Sequence, residues 1–216
     1  MKELFEQSYF TEMYDGSYDK RNPEYKFKSY LNHILKRIIY KSNLKLLDIG
    51  CAYGSFLKAA KENFSITGTD ISEHAIEVAK SRLPNAEIYT SAVADIPLNN
   101  KFNVVTCFDI LEHVPELDQA LAHIQNLLEE NGVLVLSVPV YDTFIGKLVF
   151  KLDKDPTHVH KNSRYWWLEK LEKAGYKIVS WNGIWRYYFK NIFYLHYISN
   201  LTRGFTPAII IVVKKK

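Results

Sequence analysis

Cysteine is scarce: two residues, Cys51 and Cys107, in a chain of 216. Two thiols, each inside a predicted motif, build no disulfide framework, and that usage fits a reducing, cytoplasmic setting. Long apolar runs are missing too. No stretch approaches the roughly 20 residues needed to span a bilayer, and Met1-Lys2-Glu3 does not begin a signal peptide. A formal net charge of +4 with 24% charged residues is too small and too evenly spread to argue for nucleic acid. Lys214-Lys215-Lys216 reads as a solvated tail. There is no internal repeat and no low-complexity segment. What is abundant is apolar and aromatic: 47% hydrophobic residues supply one sizeable core, and 15 Tyr and 4 Trp concentrate toward the two ends.

The chain is organised around Leu46-Leu47-Asp48-Ile49-Gly50-Cys51-Ala52-Tyr53-Gly54-Ser55-Phe56-Leu57. A short apolar run, two glycines and helix-like spacing describe a buried strand, a tight turn and a helix whose N-terminus faces a ligand. Gly50 and Gly54 can take positive φ and let a ligand approach the backbone. A second apolar stretch, Ser65 to Thr69, ends in Asp70, about 20 residues past the loop, where a carboxylate can accept both hydroxyls of a ribose.

On either side the pattern continues. Residues 1–22 form a loose or short-helical arm. From Pro23 a helix places Phe27, Tyr30, Leu31, Ile34, Leu35, Ile38 and Ile39 on its apolar face. Strands are expected at Leu44–Asp48, Ser65–Asp70, Glu87–Thr90, Asn103–Phe108, Val133–Val138, Tyr176–Trp181 and Ala208–Val213. Helices are expected at Gly54–Lys61, Glu73–Arg82 (capped by Ser72), Glu116–Glu129 and Arg164–Ala174, the last ending at Gly175. This alternation predicts an α/β fold, a doubly wound and mostly parallel sheet with helices on both faces. The whole of 1–216 reads as one domain: an arm and helix (1–42), a ligand-binding core (43–140), and an insert with the last strands (141–216).

The loop spacing Asp48-x-Gly50-x-Ala52-x-Gly54 is not the G-x-G-x-x-G of dinucleotide-binding domains, and Asp48 would repel a pyrophosphate. It resembles the D/E-x-G-x-G-x-G motif of class I S-adenosylmethionine-dependent methyltransferases. Ala52 replaces the usual glycine, which one methyl group permits if that residue keeps an ordinary φ. The resemblance implies a Rossmann-like, seven-stranded sheet in the order 3-2-1-4-5-7-6 with strand 7 antiparallel. It implies S-adenosylmethionine as cofactor and S-adenosylhomocysteine as product. Asp48 with Gly50, Cys51, Ala52 and Gly54 would hold the methionine part, Asp70 the ribose, and Ile71 the underside of the adenine. Ser91 to Leu98 matches the adenine segment, with Ala92 where an aspartate is common and the Val93 N–H available to the ring; Asp95 reads as a loop or capping acid. Phe108-Asp109-Ile110-Leu111-Glu112-His113-Val114 matches the fourth-strand segment of the small-molecule branch. The D/N-P-P-Y/F tetrad of enzymes that methylate planar nitrogens is absent.

Asp155-Pro156-Thr157-His158-Val159-His160 follows the fifth strand, on the acceptor side, and resembles segments of relatives that methylate hydroxylated small molecules. Three histidines are therefore candidate catalytic groups: His158, with Asp155 placed to orient it, as general base; His160 as a hydroxyl contact; and His113. No metal is expected, because no further His/Cys cluster adjoins His158 and His160 in the sequence. The expected activity is methyl transfer to a small-molecule acceptor, most readily a hydroxyl oxygen of a sugar, quinone precursor or lipid-like compound. A nicotinamide-dependent oxidoreductase and a non-catalytic cofactor-binding scaffold are the alternatives. The aromatic residues Tyr9, Tyr14, Tyr18, Trp185, Tyr187, Tyr188 and Phe189 are expected over the acceptor side as a lid. Peripheral membrane contact and oligomeric state stay open.

Overall fold

The structure, a computed structural model, describes residues 5, 7–12, 18–39, 43–97, 99–152, 155–189 and 193–216. Its strands are β1 (Lys45–Ile49), β2 (Ser65–Asp70), β3 (Glu87–Thr90), β4 (Phe102–Phe108), β5 (Leu128–Pro139), β6 (Tyr176–Phe189), β7 (Phe193–Ser199) and β8 (Ala208–Lys215). The helices are α1 (Gln7–Glu12), α2 (Tyr18–Arg21), α3 (Glu24–Leu35), α4 (Ser55–Ala60), α5 (Glu73–Arg82), α6 (Leu117–Leu127), α7 (Phe144–Leu152) and α8 (Arg164–Lys173). All eight strands join one sheet in the order β3-β2-β1-β4-β5-β8-β6-β7. The β3-β2-β1-β4-β5 part is parallel. β8 runs antiparallel to both β5 and β6, and β7 antiparallel to β6.

The strands are apolar on both faces because both are covered, as parallel sheets require. Side chains alternate across the sheet. Leu46, Val104 and Val135 pack with α3, α4 and α5 on one side. Leu47, Val105 and Leu134 pack with α6 and α8 on the other. Ser72 caps α5 through its hydroxyl, which accepts from the Ala75 N–H. Gly175, at φ 85, turns the chain out of α8, as the sequence predicts.

The sequence reading counts seven strands, and the structure has an eighth. β6 does not stop at Trp181 but runs to Phe189 and returns as β7, pairing Trp185 with Tyr197, Tyr187 with Leu195 and Phe189 with Phe193. Aromatic cross-strand pairs stabilise such a ribbon. The aromatic excess assigned to a lid is, at this end, strand-forming sequence. Helix α7 is likewise absent from the sequence reading. No helix among the described residues is long and apolar enough to cross a membrane.

Candidate active site

The strand order turns between β1 and β4, and there, beyond the strands' carboxyl ends, lies a cavity of about 330 Å³. An open α/β sheet places its ligand at this switch point. One wall is the loop Asp48 to Ala52 with Asp70 and Ile71. A second carries Ala92, Val93 and Asp95, and a third Phe108, Asp109, Ile110 and His113. The N-terminal arm covers it with Phe5, Tyr9, Phe10 and Tyr18.

The cofactor-side residues come together as expected, with three refinements. Gly50 has φ 75, and a Cβ there would fall 2.0 Å from Ile110 Cδ1; the space it keeps open is held against a neighbouring side chain, not only a ligand. Gly54, at φ 73, is the N-cap of α4 and stands outside the cavity lining. Ala52 has φ 45, against the expectation of an ordinary backbone. It holds the left-handed conformation a glycine would take, at a steric cost, while its N–H donates to Asp70 Oδ2 at 2.8 Å. Asp70 Oδ1 accepts from the Ser72 N–H at 3.0 Å. The carboxylate meant for the ribose thus also fixes the glycine loop onto the end of β2.

Asp48 is buried and accepts from the Thr106 hydroxyl at 2.6 Å. Burial pushes its carboxyl up to about 7, opposed by the Thr106 hydrogen bond and reinforced by the charge of Asp70. A cationic ligand group would reverse that. Cys51 is buried beside it, its thiol pushed up chiefly by burial. Val93 opens a 3-10 turn, Val93–Asp95, so its N–H lies ahead of the turn's own hydrogen bonds. Asp95, at the end of that turn, lines the cavity. Phe108 stacks on Tyr30 with ring centroids 4.3 Å apart and meets Phe56 edge-on at 4.9 Å.

A charged cluster beside Phe108 was not foreseen. Asp109 sits at φ 58 and accepts from Arg186 on β6 and from the Ser137 hydroxyl, while Lys26 Nζ on α3 lies 4.0 Å away. Burial works against ionisation of Asp109, but Arg186 and Lys26 outweigh it and hold it at about 2. Lys26 is itself buried, drawn down to about 8 by that burial, and lines the cavity with Asn22, to which it donates at 3.0 Å. The signal was present in the sequence: Lys26, Tyr30 and Ile34 share one helical face, and a lysine interrupting an apolar stripe asks for a partner.

The three histidines separate. His113 lines the cavity, its Nδ1 2.8 Å from Thr157 Oγ1. Burial, then the neighbouring His158, pulls it down to about 4. His158 stands behind it with ring centroids 4.6 Å apart, its Nδ1 3.3 Å from the Tyr141 hydroxyl and its Nε2 3.9 Å from Asp155 Oδ2. It is not in the cavity wall. His160 Nε2 lies 2.8 Å from the Val114 carbonyl and its ring stacks on Trp166, which ties two loops together. Of the three, His113 is the one that lines the cavity. Of the aromatic residues expected in a lid, Tyr9 and Tyr18 line the cavity, whereas Trp185, Tyr187 and Tyr188 belong to β6 and do not. Tyr14 lies outside the described residues.

Residues 18–181 match the family model described as a methyltransferase domain. The chain is 29% identical over 181 residues to the ubiquinone biosynthesis O-methyltransferase of Coxiella burnetii (strain Dugway 5J108-111), covering 76% of each. Among solved structures it is similar to an S-adenosylmethionine-dependent methyltransferase of Thermotoga maritima (TM-score 0.70, 16% identity, covering 97% of this chain and 100% of that one). It is also similar to the magnesium protoporphyrin IX methyltransferase of Synechocystis with S-adenosylhomocysteine bound (TM-score 0.60, 18% identity, covering 91% and 83%). The nicotinamide and scaffold alternatives fall with this, and the chain belongs to the methyltransferase-domain family as a class I S-adenosylmethionine-dependent methyltransferase.

Proposed function

We propose that the enzyme methylates a hydroxyl oxygen of a small, largely apolar acceptor. The observation that carries this is one cavity whose walls differ in their chemistry. The glycine loop, Asp48 and Asp70 form one; His113, backed by Thr157 and Asp155, stands across from them. Asp48 and Lys26 offer opposite charges to the ammonium and carboxylate of the cofactor's methionine end. Asp70 takes the ribose, and Ile71 with Val93 the adenine. The aromatic arm closes over the remainder and excludes water, which favours a ring or alkyl acceptor over a free sugar.

Transfer to oxygen needs the nucleophile in line with the S–CH₃ bond at about 3 Å. The acceptor's O–C bond forms as the C–S bond breaks, the sulfonium becomes a neutral thioether, and the hydroxyl proton leaves. His113, neutral at physiological pH, is placed at the wall to take that proton, with His158 and Asp155 as positioning groups. The named O-methyltransferase relative supports oxygen over nitrogen, as does the absence of the planar-nitrogen tetrad.

The test is incubation of the enzyme and methyl-labelled cofactor with a panel of monohydroxy, dihydroxy and amino aromatic compounds, with product masses read out. The expected result is label in an ether-linked methyl group, and a loss of about a hundredfold or more in turnover for His113→Ala with cofactor affinity retained. Label only on amino compounds would overturn the oxygen assignment.

A further inference from the structure

A second hollow, of about 430 Å³, shares no lining residue with the cofactor cavity. It opens beside β6 ahead of the point where β7 joins it. The β6–β7 pairing starts at Gly183, so Ile178 to Asn182 have no strand on their outer edge. A bulge at Val179 shifts the β6–β8 register between Ile178 and Ser180. Bulges re-aim the side chains that follow them. Here Ser180 and Asn182 face the end of α3, where Arg37 bonds both, and Trp181 and Gly183 face the other way.

Two arginines line this hollow, each held in place. Arg37 donates from Nε to Ser180 Oγ at 2.8 Å, from Nη2 to Asn182 Oδ1 at 3.1 Å and from Nη1 to the His33 carbonyl at 2.9 Å. Arg203, in the turn between β7 and β8, lies over the Trp181 ring with Cζ 4.3 Å from the centroid. Its backbone is fixed as well. The buried Arg164 donates to the Arg203 carbonyl, and Gly183 makes room for the turn, since a Cβ there would fall 2.7 Å from Arg203 Cα. No acidic residue lines the hollow. Elsewhere Arg82 meets Asp19, Arg164 meets Asp142 and Arg186 meets Asp109. Among the described residues, Arg37 and Arg203 have only neutral partners. Two like charges held in one hollow repel each other, and an anion from outside offsets that cost.

We propose that this hollow binds the phosphate group of a small phosphate monoester. Such a group carries about −1.5 to −2 charges at neutral pH, which matches two guanidiniums. The planar fork of each guanidinium suits the geometry of phosphate oxygens. A phosphodiester carries a single charge, so nucleic acid and diester lipids match the site only by half. Asn200 adds a neutral polar group, and Ile178 with Val179 gives apolar surface to the organic part of the ester. The volume lies within the range of small-molecule pockets, about 300–1,000 Å³. The site is independent of the methyl-transfer cavity and uses none of its residues.

The test is calorimetric titration of the full chain with glycerol 3-phosphate, with inorganic phosphate and dimethyl phosphate in parallel. Expected is one glycerol 3-phosphate per chain with a Kd below about 1 mM, and weaker binding of both other compounds. Arg37→Gln and Arg203→Gln should each weaken the ester by about tenfold or more, with S-adenosylhomocysteine affinity unchanged in both. Arg203→Gln removes only a side chain lying on the Trp181 ring, so it decides the matter if Arg37→Gln does not fold. No binding, or equal binding by Arg203→Gln, would overturn the site. Dimethyl phosphate or inorganic phosphate binding as tightly as the ester would overturn the assignment to a monoester. Displacement of the ester by S-adenosylhomocysteine would place it in the cofactor cavity and likewise overturn the proposal.

Discussion

The two walls of the cavity are built in opposite ways. On the proposed reading, the cofactor side draws chiefly on residues 48–71, a single strand-loop-helix-strand unit shaped by local backbone conformation, with Lys26 and Val93 added from elsewhere. The acceptor wall is drawn from distant segments: Tyr9 donates to Asp155 across 146 positions, Arg186 to Asp109 across 77, and Thr157 meets His113 across 44. A wall made of one contiguous unit can be inherited whole and recognised by its motif. A wall assembled from separate loops can change its chemistry one segment at a time, which suits the part of the enzyme that selects the acceptor.

The sharpest way to break this contrast is Gly50→Val. A branched side chain would be forced to φ 75 and into Ile110, whose Cδ1 lies 2.0 Å from the position of the new Cβ. Cofactor binding should fall beyond detection, by a thousandfold or more. Calorimetry showing ordinary affinity would mean that the loop merely turns the chain.

A smaller effect concerns Asp48. Its folded pKa of about 7 stands above its ordinary 3.8, so the native state keeps a proton that the unfolded chain gives up. Stability is therefore lost as pH rises from about 4 to about 7. A bound ammonium group favours the ionised carboxylate, so binding below pH 7 must release a proton, and cofactor affinity should weaken by up to tenfold per pH unit below that point. Titrations in buffers of different ionisation heat measure the proton directly. Asp48→Asn should bind more weakly and without pH dependence; an unchanged pH profile would separate Asp48 from the ligand.

Smallest is Ala52→Gly, which relieves a left-handed alanine at φ 45 but adds backbone freedom to the unfolded chain. The net gain should be about 0.5 kcal/mol, read from urea midpoints, with affinity unaffected. A loss of stability would show that the Ala52 methyl group packs usefully.

The contrast also explains what was legible in the sequence. β1, the loop, β2 and the Ser72 cap follow from short-range pattern, and the structure reproduces them within a residue or two. Gly54 follows from the same motif, and the structure puts it at the N-cap of α4, outside the cavity lining. β7 was missed because its aromatic residues carry a strand signal without a turn motif to announce the hairpin. Lys26 and Asp109 need each other and Arg186, and no local spacing joins α3, the end of β4 and β6. His158 was preferred over His160 because Asp155 is near it in sequence; in space the same Asp155, through Thr157, also reaches His113.

The central claim, that residues 48–71 hold the cofactor independently of the acceptor wall, is tested most directly by titrating S-adenosylhomocysteine calorimetrically into the wild type, Asp70→Ala and His113→Ala. The account predicts one site in the wild type and an affinity ten- to a hundredfold lower in Asp70→Ala, about 1–3 kcal/mol for ribose hydroxyls left without a charged partner. His113→Ala should match the wild type. Equal affinity in Asp70→Ala, or a loss in His113→Ala as large as that expected for Asp70→Ala, would contradict it.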